Sequence, residues 1–257
     1  MNNLKNKTAL ITGATSGIGK SSAKSLAKMG TNLIITGRRE EKLKNIKKGL
    51  EKKYNIKVKT LTFDITKQKE VEKKILKVLK SKKIDILINN AGLALDASKI
   101  DDCDISDWET MIDTNIKGLL YVSRIVIKHM RENNSGHIIN LGSIAGTITY
   151  PAGNVYCATK SAVHTLSEAM NIDLVGTNIR VSNVAPGAVE TEFSNVRFKG
   201  NIDKIDAVYN GYTPLSAKDI SDLIIYILNA PLHVNIQHTL IMPTAQRNPY
   251  TLYRDNQ

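Results

Sequence analysis

Short apolar runs bounded by turn residues alternate along the chain with stretches of helical periodicity. Residues 8–12 (TALIT) read as a buried strand, and a glycine-rich turn then leads into a helix over 18–29. A second strand is predicted over 32–36 (NLIIT), a lysine-rich helix over 39–53 and a third strand over 57–62 (KVKTLT). Residues 68–81 place Val71, Ile75, Val78 and Leu79 on one helix face, and 85–89 (DILIN) read as a fourth strand. A long helix is expected over 106–130, opened by a capping box of Ser106 and Glu109. A fifth strand over 137–141 (HIINL), a helix over 155–175, a sixth strand over 179–185, a helix over 219–229 and a final strand over 238–242 complete the series. Residues 188–214 lack a clean period and read as a loop with short helices. No linker or repeat interrupts the chain, so residues 1–257 read as one domain.

Strands alternating with helices imply an α/β fold: a mostly parallel sheet of about seven strands with helices on both faces. Right-handed crossovers make it doubly wound, with ligands bound beyond the carboxyl ends of the strands at the switch in strand order. A chain of 257 residues buries enough surface to fold without disulfides or metal. With 42% apolar but only 5% aromatic residues, its core is mostly aliphatic.

Charge and cysteines narrow the class. The net charge of +12 is carried by one stretch, 38–83, which holds 18 Lys/Arg against 6 Asp/Glu. That stretch is either a field that attracts an anionic ligand or a set of lysine-rich solvated helix faces. No aromatic-rich or helix-turn-helix pattern accompanies the lysines, so nucleic acid is not an expected partner. Cys103 and Cys157 have no metal-ligand spacing and read as reduced thiols. No segment has the pattern of a signal peptide or a spanning helix, so a cytoplasmic protein without membrane association is expected.

The first strand runs into Thr12-Gly13-Ala14-Thr15-Ser16-Gly17-Ile18-Gly19. Gly13 permits a tight turn off the strand, Gly17 close backbone approach to a phosphate, and Gly19 close helix–strand packing. The helix that follows presents free N–H groups to a pyrophosphate. A strand before the turn and a helix after it are the context this dinucleotide fingerprint requires. Its spacing, T-G-x-x-x-G-x-G, resembles the short-chain dehydrogenase/reductase family of Rossmann-type enzymes.

At the end of the second strand, Gly37 stands where an enzyme using NAD would carry Asp or Glu, and Arg38 and Arg39 follow. Guanidinium groups bind a ribose 2′-phosphate through forked, charge-assisted bonds, which points to NADP(H). The alternative is a pair of solvated residues at a helix start. Family resemblance makes Asp64 and Ile65 adenine contacts, although Asp64 also suits a helix N-cap. Asn89-Asn90-Ala91-Gly92 resembles the family's NNAG motif, in which Asn90, Ala91 and Gly92 line the cofactor. Pro186, Gly187, Val189 and Thr191 match the segment that holds the nicotinamide carboxamide.

Tyr156 and Lys160 are four residues apart and share a helix face. A nearby ammonium favours the phenolate, so Lys160 is expected to lower the pKa of Tyr156 as its proton-transfer group. Both also line the cofactor. At family spacing, Ser143 hydrogen-bonds the substrate oxygen, and Asn115 holds, by side chain or backbone, a relay water. The resemblance spans essentially the whole chain. TEFSNVRFKG (191–200), DWETMIDTN (107–115), HVNI (233–236) and Met242-Pro243 with the tail are similar to a branch of NADP-dependent 3-hydroxy acid dehydrogenases. That branch acts on serine, L-allo-threonine and malonic semialdehyde, and its tetrameric assembly implies a homotetramer with the tail (243–257) near subunit contacts. Arg197 and Lys199 are candidates for the substrate carboxylate, or else make subunit or solvent contacts. Alternatives are a 3-oxoacyl-carrier-protein or broad ketone reductase, and a non-catalytic NADP(H)-binding regulator.

Overall fold

The computed structural model describes residues 3–255; the two residues at each end of the proposed domain and tail lie outside it. Seven strands form one parallel sheet in the order β3-β2-β1-β4-β5-β6-β9. They are β1 (Thr8–Ile11), β2 (Asn32–Gly37), β3 (Val58–Thr62), β4 (Ile86–Asn89), β5 (Gly136–Leu141), β6 (Ile179–Pro186) and β9 (His238–Ile241). The direction of winding reverses between β1 and β4, so their carboxyl ends flank the switch point.

The two-residue period of a strand decides which face each side chain covers. Ala9 and Ile11, Leu33 and Ile35, and Ile86 and Ile88 face one core, shared with α1 (Gly17–Lys28), α2 (Glu40–Lys53) and α9 (Ala217–Asn229). Leu10, Ile34 and Leu87 face the other, with α3 (Gln68–Leu79), α5 (Leu119–Glu132) and α6 (Asn154–Asp173). Burial on both faces explains why the strands read as unbroken apolar runs. Beyond β6, a two-stranded pairing of β7 (Val189–Glu190) with β8 (Leu215–Ser216) brackets α7 (Glu192–Arg197) and α8 (Ile202–Tyr209). This is the segment read as a loop with short helices.

Two helix starts differ from the sequence expectation. The predicted 106–130 helix is α4 (Ile105–Ile112), a π-helical segment over Asp113–Gly118, and then α5. Its cap is Asp104, whose carboxylate accepts from the Ser106 N–H at 2.8 Å, in place of the Ser106–Glu109 box. A capping box does occur at Ser216 and Asp219, starting α9 two residues before the expected position. Asn89 and Asn140 are register partners, and Asn89 Nδ2 donates to Asn140 Oδ1 and Ser123 Oγ, both at 2.9 Å. This fully buried network ties the sheet end to α5.

His137 on β5 is buried, with Nε2 2.9 Å from Ser182 Oγ on β6. Burial, with Arg180 nearby, pushes its pKa down to about 3. The unfolded imidazole takes a proton near pH 6.5, so the unfolded chain binds more protons between these values. Stability contributed by neutral His137 is therefore present above about pH 6.5 and lost as pH falls toward 3. Urea titrations at pH 7 and pH 5 should show a drop that is smaller in His137→Asn; an equal drop in both proteins would remove His137 from the account.

Both cysteines are free thiols, Cys157 buried and Cys103 partly so. Among the described residues no helix is long and apolar enough to cross a membrane.

Candidate active site

A cleft of about 370 Å³ opens where the carboxyl ends of β1, β2, β4, β5 and β6 meet. Arg38 and Asp64 line one end, and Ser143 and Tyr156 the other. Gly13 and Gly17 form the floor between them with φ of 65° and 50°, a region strained for residues with a Cβ. Gly19 lies behind the floor: a Cβ there would stand 2.4 Å from Asn90 Nδ2 and 2.5 Å from the Gly13 carbonyl oxygen. The Asn90 side chain braces this turn by donating to the carbonyls of Thr12 and Gly13, at 2.9 and 3.0 Å. Ser16, at the N-cap of α1, makes no side-chain cap bond, so first-turn N–H groups remain for a ligand. An open trough floored by glycine and a helix start fits the phosphates of a dinucleotide.

At the other end, Tyr156 and Lys160 lie on α6 and are both nearly buried. Lys160 Nζ donates to the Leu141 carbonyl at 2.7 Å and stands 6.0 Å from the centre of the Tyr156 ring. Ser143 follows β5, and its hydroxyl accepts from the Ala145 N–H at 3.1 Å, which holds it at the mouth of the short 3₁₀ turn Ile144–Gly146. Asn115 lies in the π-helical segment, behind the cleft lining. Its side chain accepts from the Leu93 N–H at 2.9 Å and donates to the Leu93 carbonyl at 2.8 Å and Thr159 Oγ1 at 3.0 Å. Both ends of the amide are thus committed within the protein. Gly92 lets these groups converge, since a Cβ there would meet Asn115 Oδ1 at 3.2 Å and Lys160 Nζ at 3.6 Å.

Burial governs the charges of this pair. It lowers the Lys160 pKa to about 8 and holds the Tyr156 phenol above its ordinary value. Ser143 and Arg197 pull Tyr156 the other way, but desolvation prevails. A buried phenolate loses more hydration than Ser143 and Arg197 restore, so the phenol is the favoured form here.

The comparisons with known proteins agree with this geometry. The model of the short chain dehydrogenase family matches residues 7–202. The chain belongs to the short-chain dehydrogenase family. It is 43% identical to the NADP-dependent 3-hydroxy acid dehydrogenase of Schizosaccharomyces pombe, over 99% of both chains. It is 44% identical to sulfoacetaldehyde reductase 2 of Chromohalobacter salexigens, over 92% of this chain and 94% of that one. The closed form of a serine dehydrogenase complexed with NADP+ superposes with a TM-score of 0.88 at 41% identity, covering 97% of this chain and 100% of that chain.

In this short-chain dehydrogenase, the two adjacent arginines differ. Arg38 is exposed and makes no hydrogen bond or ion pair among the described residues, whereas Arg39 bonds Thr15, Ser16 and Glu192. A Cβ on Gly37 would lie 2.9 Å from Thr15 Cγ2, so an acidic side chain there would displace Thr15. Asp64 Oδ1 accepts from the Thr66 N–H and hydroxyl at 3.0 and 2.9 Å, which closes a local turn, but the N-cap of α3 is Lys67, so Asp64 does not cap that helix; it lines the cleft beside Ile65. Ala91, Pro186, Gly187, Val189 and Thr191 line it as well.

On the substrate side, Arg197 lies 5.8 Å from the Tyr156 ring centre. Its Nη1 donates to the Tyr150 hydroxyl at 3.0 Å and its Nε to the Asp96 carbonyl at 3.2 Å. It forms no ion pair among the described residues. Lys199 pairs with Asp107 at 2.8 Å. Tyr150 and Phe193, whose ring is 5.7 Å from that of Tyr156, were not singled out from sequence. No spacing marks them; the loop after β5 and the start of α7 bring them together.

Proposed function

We propose that this chain is an NADP(H)-dependent dehydrogenase/reductase of small 3-hydroxy acids and the corresponding semialdehydes, with serine, L-allo-threonine and 3-hydroxypropionate as the compounds to offer first. The observation that carries the reading is Arg197: a half-buried guanidinium beside the Tyr156 phenol, without a carboxylate partner among the described residues. Such a group calls for an anionic substrate, since its forked donors match a carboxylate.

Cofactor choice rests on the other end of the cleft. Arg38, with no ion pair among the described residues, can meet a 2′-phosphate, and an acidic residue at Gly37 that would favour NAD would have to displace Thr15. Bound NADP(H) supplies or accepts the hydride. The residues do the rest. Tyr156, kept protonated by burial, donates its proton to the carbonyl oxygen in reduction. Ser143 donates a hydrogen bond to that oxygen and stabilises its developing charge. Lys160 sets a positive charge near the phenol once the proton leaves, and the Asn115 carbonyl holds the water that returns a proton. The sulfonate in the name of the Chromohalobacter relative is also an anion that Arg197 would accept. Exposed Tyr226, Leu232 and Leu240, on α9 and around β9, offer a face for a second copy within a homotetramer, and the free thiols suit the cytoplasm.

The test is reduction of NADP+ and of NAD+ by the purified protein, followed at the reduced-nicotinamide absorbance band. The three acids, 2-hydroxyethanesulfonate and a neutral alcohol are offered separately. Turnover with hydroxy acids and NADP+, with little from NAD+, is expected. Turnover confined to the neutral alcohol would discard the acid assignment and keep the chemistry.

A further inference from the structure

Arg39 and Glu192 stand on opposite sides of the cleft mouth, 153 residues apart in sequence, and are joined at 2.7 Å from Nη1 to Oε2. Arg39 is also anchored to the phosphate-binding turn. Its Nε and Nη2 donate to Thr15 Oγ1 at 3.1 and 2.7 Å, and Nη2 donates to Ser16 Oγ at 2.8 Å. Lys42 Nζ reaches the second oxygen of Glu192 at 3.4 Å. Glu192 is the first residue of α7, directly after Thr191. That threonine rests on the turn as well, since its Cβ is 3.3 Å from where a Cβ on Gly17 would lie. Thus the start of α7 already touches the turn, and the guanidinium ties it down from the other side. Four of the five N–H groups of Arg39 are taken up by protein oxygens, while Arg38 beside it is unpaired.

We propose that Arg39 and Glu192 form a clasp holding the first turn of α7 over the phosphate-binding turn, so that bound cofactor departs only when the clasp opens. The inference rests on the reading of the cleft as an NADP(H) site. It divides the work of the two arginines: Arg38 meets the 2′-phosphate and decides which cofactor binds, and Arg39 decides how long it stays. Arg39 and Glu192 are positioning residues that act through α7. The pair is exposed, so it adds little to global stability, and its effect falls on opening of the cleft.

Stopped-flow displacement of bound NADPH by excess NADP+ tests the clasp in the wild type, Glu192→Gln, Arg39→Gln and the double variant. Dissociation should be about threefold faster in each single variant, the scale an exposed ion pair allows. The double variant should fall short of the product of the two single effects, because the Arg39–Glu192 contact is removed in both. Thermal midpoints should stay unchanged. Arg38→Ala should instead weaken NADPH binding while sparing NADH. Dissociation unchanged in both single variants, or effects that add in the double variant, would overturn the clasp. So would slower release from Glu192→Gln, which would mean that Glu192 competes with the cofactor for Arg39. Failure of the wild type to bind NADPH is a separate result and overturns the cofactor reading itself.

Discussion

Replacing Tyr156 by Phe is expected to lower kcat by about 10³-fold, within the range that a positioned proton donor contributes. The substitution deletes one oxygen and leaves the ring against Phe193, so the packing around α6 persists. The loss should appear in both directions of the reaction, because the same oxygen gives and takes the proton. Lys160→Met should also be costly, and the two losses should not add, since both side chains serve a single proton transfer. Rate measurements at saturating cofactor and substrate decide the matter. A Tyr156→Phe protein retaining a tenth of wild-type kcat would assign the proton to another group, with Tyr150 the nearest phenol across Arg197.

Arg197→Ala is expected to cut kcat/KM for a hydroxy acid by about 10- to 100-fold, the worth of hydrogen bonds to a charged group. The loss should fall mainly on KM if the carboxylate is held equally in ground and transition states. A neutral alcohol should lose little, and that contrast separates carboxylate binding from general damage to the site. Arg197→Lys should recover only part of the loss, because an ammonium lacks the fork that would let one side chain bond Tyr150 and a carboxylate at once. Equal losses for acid and neutral substrates would instead make Arg197 a brace for the loop after β4, through its bond to the Asp96 carbonyl.

Much of this site was legible because its residues are close in sequence or tied to a strand end. The glycine turn, the Tyr156–Lys160 pair and Ser143 each follow from one element whose period is visible in the chain. The pairing of Lys199 with Asp107 was not visible in the chain, because Asp107 lies 92 residues away on α4. The helical cap was misplaced because Asp104 and Ser106 both offer a capping oxygen, and only the backbone path shows that Asp104 is used. The π turn around Asn115 left no trace in the apolar pattern, since the run Asp113-Thr114-Asn115 is polar and carries no apolar period to read.

By itself, the sequence determined the parallel sheet, the order of its elements and the trough for a dinucleotide. Those depend on local periodicity and on glycines whose backbone freedom no other residue supplies. Tertiary structure decided which charges remain free. Arg38 and Arg39 are adjacent and chemically alike, yet one is unpaired and the other is held by Thr15, Ser16 and Glu192. Arg197 and Lys199 divide the same way, one set beside the Tyr156 ring and one spent on Asp107. A charged side chain is available for chemistry only when no neighbour has neutralised it, and those neighbours arrive from distant parts of the chain.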